Sequence, residues 1–157
     1  MKLTFLFLAA FLVCAPLADA QTMSYGTSIT ADAAKKIAAP AIAEARKNNW
    51  TMAIAIVDTA GDLVYFERMD DVQAGSTQVA QSKARSAARF KRPTKGFQDA
   101  LAAGGEGLRI LALDGAIPVE GGIPLVVGGK IVGAIGASGG TSQQDGVVAQ
   151  AAVNALK

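Results

Sequence analysis

The chain has 157 residues, 51% of them hydrophobic, with 15 Lys+Arg against 13 Asp+Glu, one Cys and no His. That is one domain's worth of foldable sequence, and it excludes disorder as the main state. The missing histidine excludes a Ser-His-Asp triad, a His-ligated zinc or iron site and a histidine pH switch within one chain.

Lys2 gives a positive start, residues 5–15 are an unbroken apolar run, and Ala18-Asp19-Ala20 has the small-x-small pattern of a cleavage site. Together they predict a secretory signal peptide over 1–20 and a periplasmic or secreted protein. The apolar run is too short to cross a bilayer, which takes about 20 residues, and Pro16 follows at once. No stable membrane anchor is therefore expected after cleavage. Bulky Val13 precedes Cys14, where lipid attachment needs a small residue. Residues 21–157 contain no cysteine, so this portion can form no disulfide or thiolate metal site and must be stabilised by core packing.

Thr30 precedes an alanine-rich segment in which Ile37, Ala38, Ala41, Ile42 and Ala45 recur at three- and four-residue steps, which predicts an amphipathic helix ending near Asn48-Asn49. Residues 52–57 and 63–66 are apolar runs around Asp58-Thr59-Ala60-Gly61-Asp62, a β-hairpin pattern. Gly75-Ser76-Thr77 offers a cap for a second helix through about Phe90, stopped by Pro93, and Thr94 a cap for a short helix to Ala103. The stretch 104–146 holds 13 of the 17 glycines yet is not polar, so it reads as irregular or β structure rather than as a linker. Within it, 125–127 and 130–135 flank Gly128-Gly129, a tight hairpin. Thr141 and Gln144 have capping-box spacing ahead of a terminal helix lined by Val147, Val148, Ala151, Ala152, Ala155 and Leu156. Two hairpins among helices predict a single α+β domain, an antiparallel β-sheet flanked by helices.

Gly136-Ala137-Ser138-Gly139-Gly140 has the G-x-S-x-G pattern of a nucleophile elbow, but without a histidine or an S-x-x-K lysine Ser138 has no base and the match reads as a decoy. The amides of Gly139 and Gly140, just before a helix N-terminus, suit a carboxylate or phosphate unless the Thr141 cap already occupies them. No dinucleotide or P-loop motif is present. Asp58, Asp62, Glu67, Asp70 and Asp71 form an acidic cluster without calcium-loop spacing, so no metal site is expected. Arg68 beside Asp70 suggests a bidentate clamp fixing a loop.

The net charge of +2 implies no nucleic-acid footprint. The bases are uneven, however: Lys83, Arg85, Arg89, Lys91, Arg92 and Lys95 fall where no acid lies between Val72 and Gln98, so one face is expected to be positive. Arg85, Arg89 and Arg92 share a helix face by spacing, with Lys83 elsewhere on the surface. They suit ligand carboxylates or a neighbouring subunit's acidic loop, or else form a solvated face. Asn49-Trp50-Thr51 is a glycosylation sequon, relevant only in a eukaryotic secretory pathway.

The ordered set Val57-Asp58-Thr59-Ala60-Gly61-Asp62-Leu63-Val64, Arg68-Met69-Asp70, Lys83-Ala84-Arg85, Pro93-Thr94, Gly121-Gly122-Ile123-Pro124-Leu125-Val126 and Val132-Gly133-Ala134-Ile135-Gly136-Ala137-Ser138-Gly139-Gly140, with Gln144-Asp145, resembles the GlcG/HbpS-like family across nearly all of 21–157. The resemblance implies a profilin- or roadblock-like sheet and a tetramer or octamer. It also implies a haem-binding domain, related to the C-terminal domain of PduO-type cobalamin adenosyltransferase. Family members also stand beside glycolate oxidation genes, and the family carries a haem-degrading label.

Where relatives often read Ala-Gly-His-Leu, this chain has Ala60-Gly61-Asp62-Leu63. A histidine axial ligand is excluded, which leaves Tyr25, Tyr65, Met23, Met52 and Met69 among the usual haem ligands. Thr94 matches a family threonine tied to haem in one branch.

The expectation is an extracytoplasmic homo-oligomer that binds haem or a related tetrapyrrole weakly, as carrier, scavenger or sensor accessory. The candidate contacts are Arg68, Asp70, Lys83, Arg85, Arg89, Thr94, Ser138, Gly139 and Gly140. The alternatives are an oligomeric enzyme on a small, glycolate-like carboxylate using Arg68, Asp70 and Lys83, and an assembly module without ligand.

Overall fold

Thr30 begins the first helix in the computed structural model, which describes residues 23–156; the leader read over 1–20, with Cys14, lies outside the described residues. The Thr30 side chain accepts a hydrogen bond from the Ala33 amide, and helix α1 (Ala31–Lys47) buries Ala34, Ile37, Ala38, Ala41, Ile42 and Ala45, the stripe predicted from spacing. Pro40 sits inside this helix, where its missing N–H removes one helical hydrogen bond.

Strand β1 (Ala53–Val57) is wholly buried because it is interior to an antiparallel sheet of order β2-β1-β4-β3. The other strands are β2 (Leu63–Arg68), β3 (Gly122–Val127) and β4 (Lys130–Ser138). The Gly128-Gly129 turn has φ of 55° and 74°, the left-handed pair that a two-residue hairpin requires.

Alternation along the strands divides the core in two. Ile54, Ile56, Leu125, Ile135 and Ala137 face α1 and the terminal helix α4 (Ser142–Asn154). Ala53, Ala55, Val57 and Ala134 face helix α2 (Ser76–Phe90), which presents Ala80, Ala84, Ala87 and Ala88. The second face is built almost entirely of small residues, so the α2 backbone lies against the sheet. A Cβ at Gly136 would stand 2.0 Å from the Ala80 carbonyl oxygen, and one at Gly122 would stand 2.4 Å from that of Lys83. The alanine-rich faces are thus the means of close helix–sheet packing.

Several local expectations need correction. Helix α2 takes no side-chain cap from the Gly75-Ser76-Thr77 segment; Ser76 instead accepts hydrogen bonds from Gln73 and Ser138. Helix α3 (Thr94–Ala102) starts at Thr94, whose hydroxyl accepts from the Gly122 amide on β3 at 2.9 Å rather than capping its own helix. The glycine-rich stretch opens as a 3-10 segment, Gly105–Ala112, and forms no strand until β3. The capping box at Thr141 and Gln144 is complete, but Val147 on α4 points outward and is half exposed. The extended residues before α1 complete the sheet: Ser24 and Gly26 bond to Ile131, and Ile29 to Val132. They cover the start of β4 where β1, whose pairing with β4 ends at Val57, no longer reaches it.

Candidate functional site

Lys83 lies three residues after Ala80 and four before Ala87, so the helix turns it toward the sheet and not, as its position among the surface bases suggested, into solvent. It is fully buried. Its Nζ donates to Asp145 Oδ2 at 2.6 Å and to the Ala137 carbonyl at 3.2 Å. The side chains of this ion pair are only 1% and 4% exposed. Burial pushes the Asp145 carboxyl above the usual range, an effect partly offset by Lys83 and by the amides of Gly140 and Gly139.

The anion expected before the terminal helix is therefore the protein's own: Gly140 donates its N–H to Asp145 Oδ1 at 3.1 Å. The adjacent Thr141 and Gln144 amides are taken by the capping box. Ser138 is buried at the end of β4 and donates to Ser76 Oγ at 3.2 Å; it does not stand exposed on a strand-to-helix elbow.

These buried groups frame a cleft of about 360 Å³ whose walls include Pro93, Lys95, Glu120, Ile123, Val147 and Gln150. Its floor is Gly121-Gly122. A Cβ on Gly121, which has φ of 124°, would lie 2.9 Å from Lys83 Nζ and 2.8 Å from Asp145 Cβ, and one on Gly122 would lie 2.7 Å from Thr94 Cγ2. Lys83, Thr94 and Asp145 thus hold the floor in place from beneath and do not line the cleft. Thr94 is fully buried, so its hydroxyl cannot serve as an iron ligand without opening the fold.

The remaining candidates occupy two other places. Arg85 and Arg89 stand at the end of the first hairpin, where their Nε atoms donate to the carbonyls of Gly61 at 3.2 Å and Ala60 at 2.9 Å. Arg92 does not share their face: α2 ends at Phe90, Lys91 takes the left-handed conformation, and the Arg92 guanidinium lies over the Phe97 ring at 5.5 Å. Arg68 and Asp70 line a polar depression of about 270 Å³ with Arg46, Glu67 and Met69. The expected Arg68–Asp70 clamp does not form: the ion pairs among the described residues join other partners. Lys83 lies beneath the Gly121-Gly122 floor and does not line the Arg68–Asp70 depression, so the trio proposed for a small-carboxylate cleft is not assembled.

The haem-ligand candidates also separate. Met52 belongs to the core and is fully buried. Tyr65 donates its phenol to Glu67 Oε2 at 2.8 Å, and this contact raises its pKa above the ordinary value. Tyr25 is exposed, but its hydroxyl donates to the Ala88 carbonyl at 2.9 Å. Met69 packs partly against the core, and Met23 is exposed. Asp62 is exposed on the hairpin turn, with its amide bonded to Asp58 Oδ1. No group of three or more His, Cys, Asp or Glu residues suited to a metal occurs among the described residues.

Residues 29–154 match the family described as haem degrading protein HbpS-like. The chain belongs to this HbpS-like family. It is 41% identical over 95 residues to the GlcG protein of Escherichia coli K12, covering 60% of this chain and 69% of GlcG. Its fold is similar to a double mutant of Streptomyces reticuli HbpS, with a TM-score of 0.77 and 27% identity over 95% of this chain and 99% of that one. It is also similar to the crystal structure of a PduOC:heme complex, with a TM-score of 0.74 and 26% identity over 83% of this chain and 96% of that one. The HbpS-like matches account for the α+β architecture with its four-stranded antiparallel sheet.

Sequence reasoning missed Asp145 as a site residue, and with it the role of Gly121 and Gly122. One signal was present: Lys83 occupies a position of the alanine stripe, where a cation needs a buried anion. Lys95 was visible only as one of the clustered bases, and Glu120, Gln150 and Arg46 had no local signal, because each reaches its cleft only through tertiary packing.

Proposed function

We propose that this protein is an extracytoplasmic homo-oligomer that binds haem or a related tetrapyrrole weakly at an exposed site, as a carrier, scavenger or sensor accessory. The observation that carries the reading is membership of the HbpS-like family, together with the likeness to a fold solved as a haem complex. Export rests on the leader pattern of residues 1–20. Assembly is supported by the 3-10 segment and the residue after it, where Leu108, Leu111 and Leu113 are 55%, 69% and 43% exposed, a cluster of apolar side chains that favours a protein partner.

The residues fit a tetrapyrrole at its periphery better than at its metal. The chain supplies no imidazole for the iron, and Thr94 is fully buried. Exposed Arg85 and Arg89 suit propionates, and exposed Met23 is a thioether of the kind that ligates haem iron. When bound, haem would bring its own redox-active iron; the chain's part is to hold the macrocycle by charge and shape. Haemin titration followed in the Soret region tests the reading. A saturable change at micromolar haemin is expected, and its absence retires the reading.

A second reading, a small-carboxylate enzyme, is favoured only by the depression that Arg46 shares with Arg68. It would require turnover of a compound such as glycolate or glyoxylate, without participation of buried Lys83.

A further inference from the structure

Arg85 and Arg89 stand four residues apart on α2, and each commits its Nε–H to the hairpin turn. The turn they grip is itself braced: Asp58 Oδ1 accepts from the amides of Ala60 at 2.8 Å and Asp62 at 2.9 Å. Gly61 has φ of 89°, and a Cβ there would lie 2.9 Å from Arg85 Cγ and 3.0 Å from Arg89 Nε. Only glycine lets both side chains close over the turn. The two guanidiniums are thus fixed next to each other, and their terminal Nη groups make no hydrogen bond to another described residue. Neither has a carboxylate within ion-pairing distance among the described residues, the neighbouring Asp62 included. Lys91, 4.3 Å above the Tyr25 ring, adds a third cation at the same end of α2, where Tyr25 bonds to the Ala88 carbonyl.

We propose that Arg85 and Arg89 form a two-fork receptor for paired carboxylates at one edge of a ligand, each guanidinium accepting one carboxylate end-on through its two Nη groups. The physical basis is preorganisation: a planar guanidinium already held at Nε loses little freedom when its outer edge binds a carboxylate. Binding would also relieve two like charges one helical turn apart, which repel while unpaired. As applied to a tetrapyrrole, whose propionates are such a pair, the assignment rests on the function proposed above; a free dicarboxylate offers the same chemistry.

The full chain is titrated with haemin and, separately, with glutarate by calorimetry, in native form and as the Arg85→Gln/Arg89→Gln and Arg85→Lys/Arg89→Lys variants, with thermal midpoints recorded for each. Haemin affinity is expected to fall about 10- to 100-fold in the glutamine variant. A smaller loss is expected in the lysine variant, which keeps the charge without the fork. Unchanged haemin affinity in a folded glutamine variant overturns the receptor and leaves the tetrapyrrole reading intact. Should the glutamine variant not fold, unchanged affinity in the lysine variant overturns it equally. If the native chain shows no saturable haemin change, the tetrapyrrole reading fails and glutarate decides: binding lost in the glutamine variant sustains a receptor for free dicarboxylates, and no binding overturns it.

Discussion

Replacing Lys83 by Met keeps the length and most of the volume of the side chain but removes the cation 2.6 Å from Asp145 Oδ2. The carboxylate then remains in a site 4% exposed, held by the amide of Gly140. Breaking a buried pair from one side costs about 3–5 kcal/mol, because the surviving charge stays desolvated without its partner. Most of that cost is avoided if Asp145 takes up a proton, so the loss must depend on pH. Its pKa is already raised by burial with Lys83 present and rises further without it. Between the unfolded value, about 3.9, and the raised folded value, the native state binds the extra proton, and stability falls as pH rises through that window.

Urea unfolding of Lys83→Met at about pH 5 and about pH 8 should therefore show the larger loss at the higher pH. The variant Lys83→Met/Asp145→Asn, which removes both charges and keeps an acceptor for Gly140, should be more stable than Lys83→Met. A loss below about 1 kcal/mol, or one equal at the two pH values, would refute the reasoning.

Gly136→Ala should cost at least about 2 kcal/mol in urea unfolding, because its Cβ would stand 2.0 Å from the Ala80 carbonyl oxygen and α2 would have to lift from the sheet. Thr141→Ala should cost about 1 kcal/mol through loss of the capping box, against no measurable change for Ser142→Ala, whose hydroxyl bonds only to exposed Gln143. The Tyr65 phenol, raised chiefly by its hydrogen bond to Glu67, should titrate at higher pH than in Glu67→Gln when phenolate absorbance is followed in a Tyr25→Phe background, which leaves one tyrosine. Because protonation is favoured in the folded state, this contact stabilises at neutral pH and is lost as pH rises through the raised value; identical titrations in the two proteins would count against it. Leu111→Asp, at a side chain 69% exposed, should reduce the assembled mass in light scattering while leaving the thermal midpoint of the isolated subunit little changed, and an unaltered mass would place the interface elsewhere.

Elements whose information is local were legible in the sequence. The α1 stripe, the Gly128-Gly129 turn and the Thr141–Gln144 box each need only spacing and residue type over a few positions. Together they specified the first and last helices and the second hairpin, and the absence of histidine removed imidazole chemistry at any site within one chain.

The tertiary structure decided where the charges went. Asp145 is 62 residues from Lys83, and no periodicity links them; the pair exists because small residues on the α2-facing side of the sheet let that helix settle close enough to bury its lysine. The same contact takes Thr94 and the Gly139–Gly140 amides into the framework, whereas Arg85 and Arg89, one and two residues beyond the buried Ala84 and Ala87/Ala88 positions, remain at the surface with their outer edges free. A helical repeat of 3.6 residues separates neighbouring bases onto opposite sides, and only the position of the sheet determines which of those sides is dry.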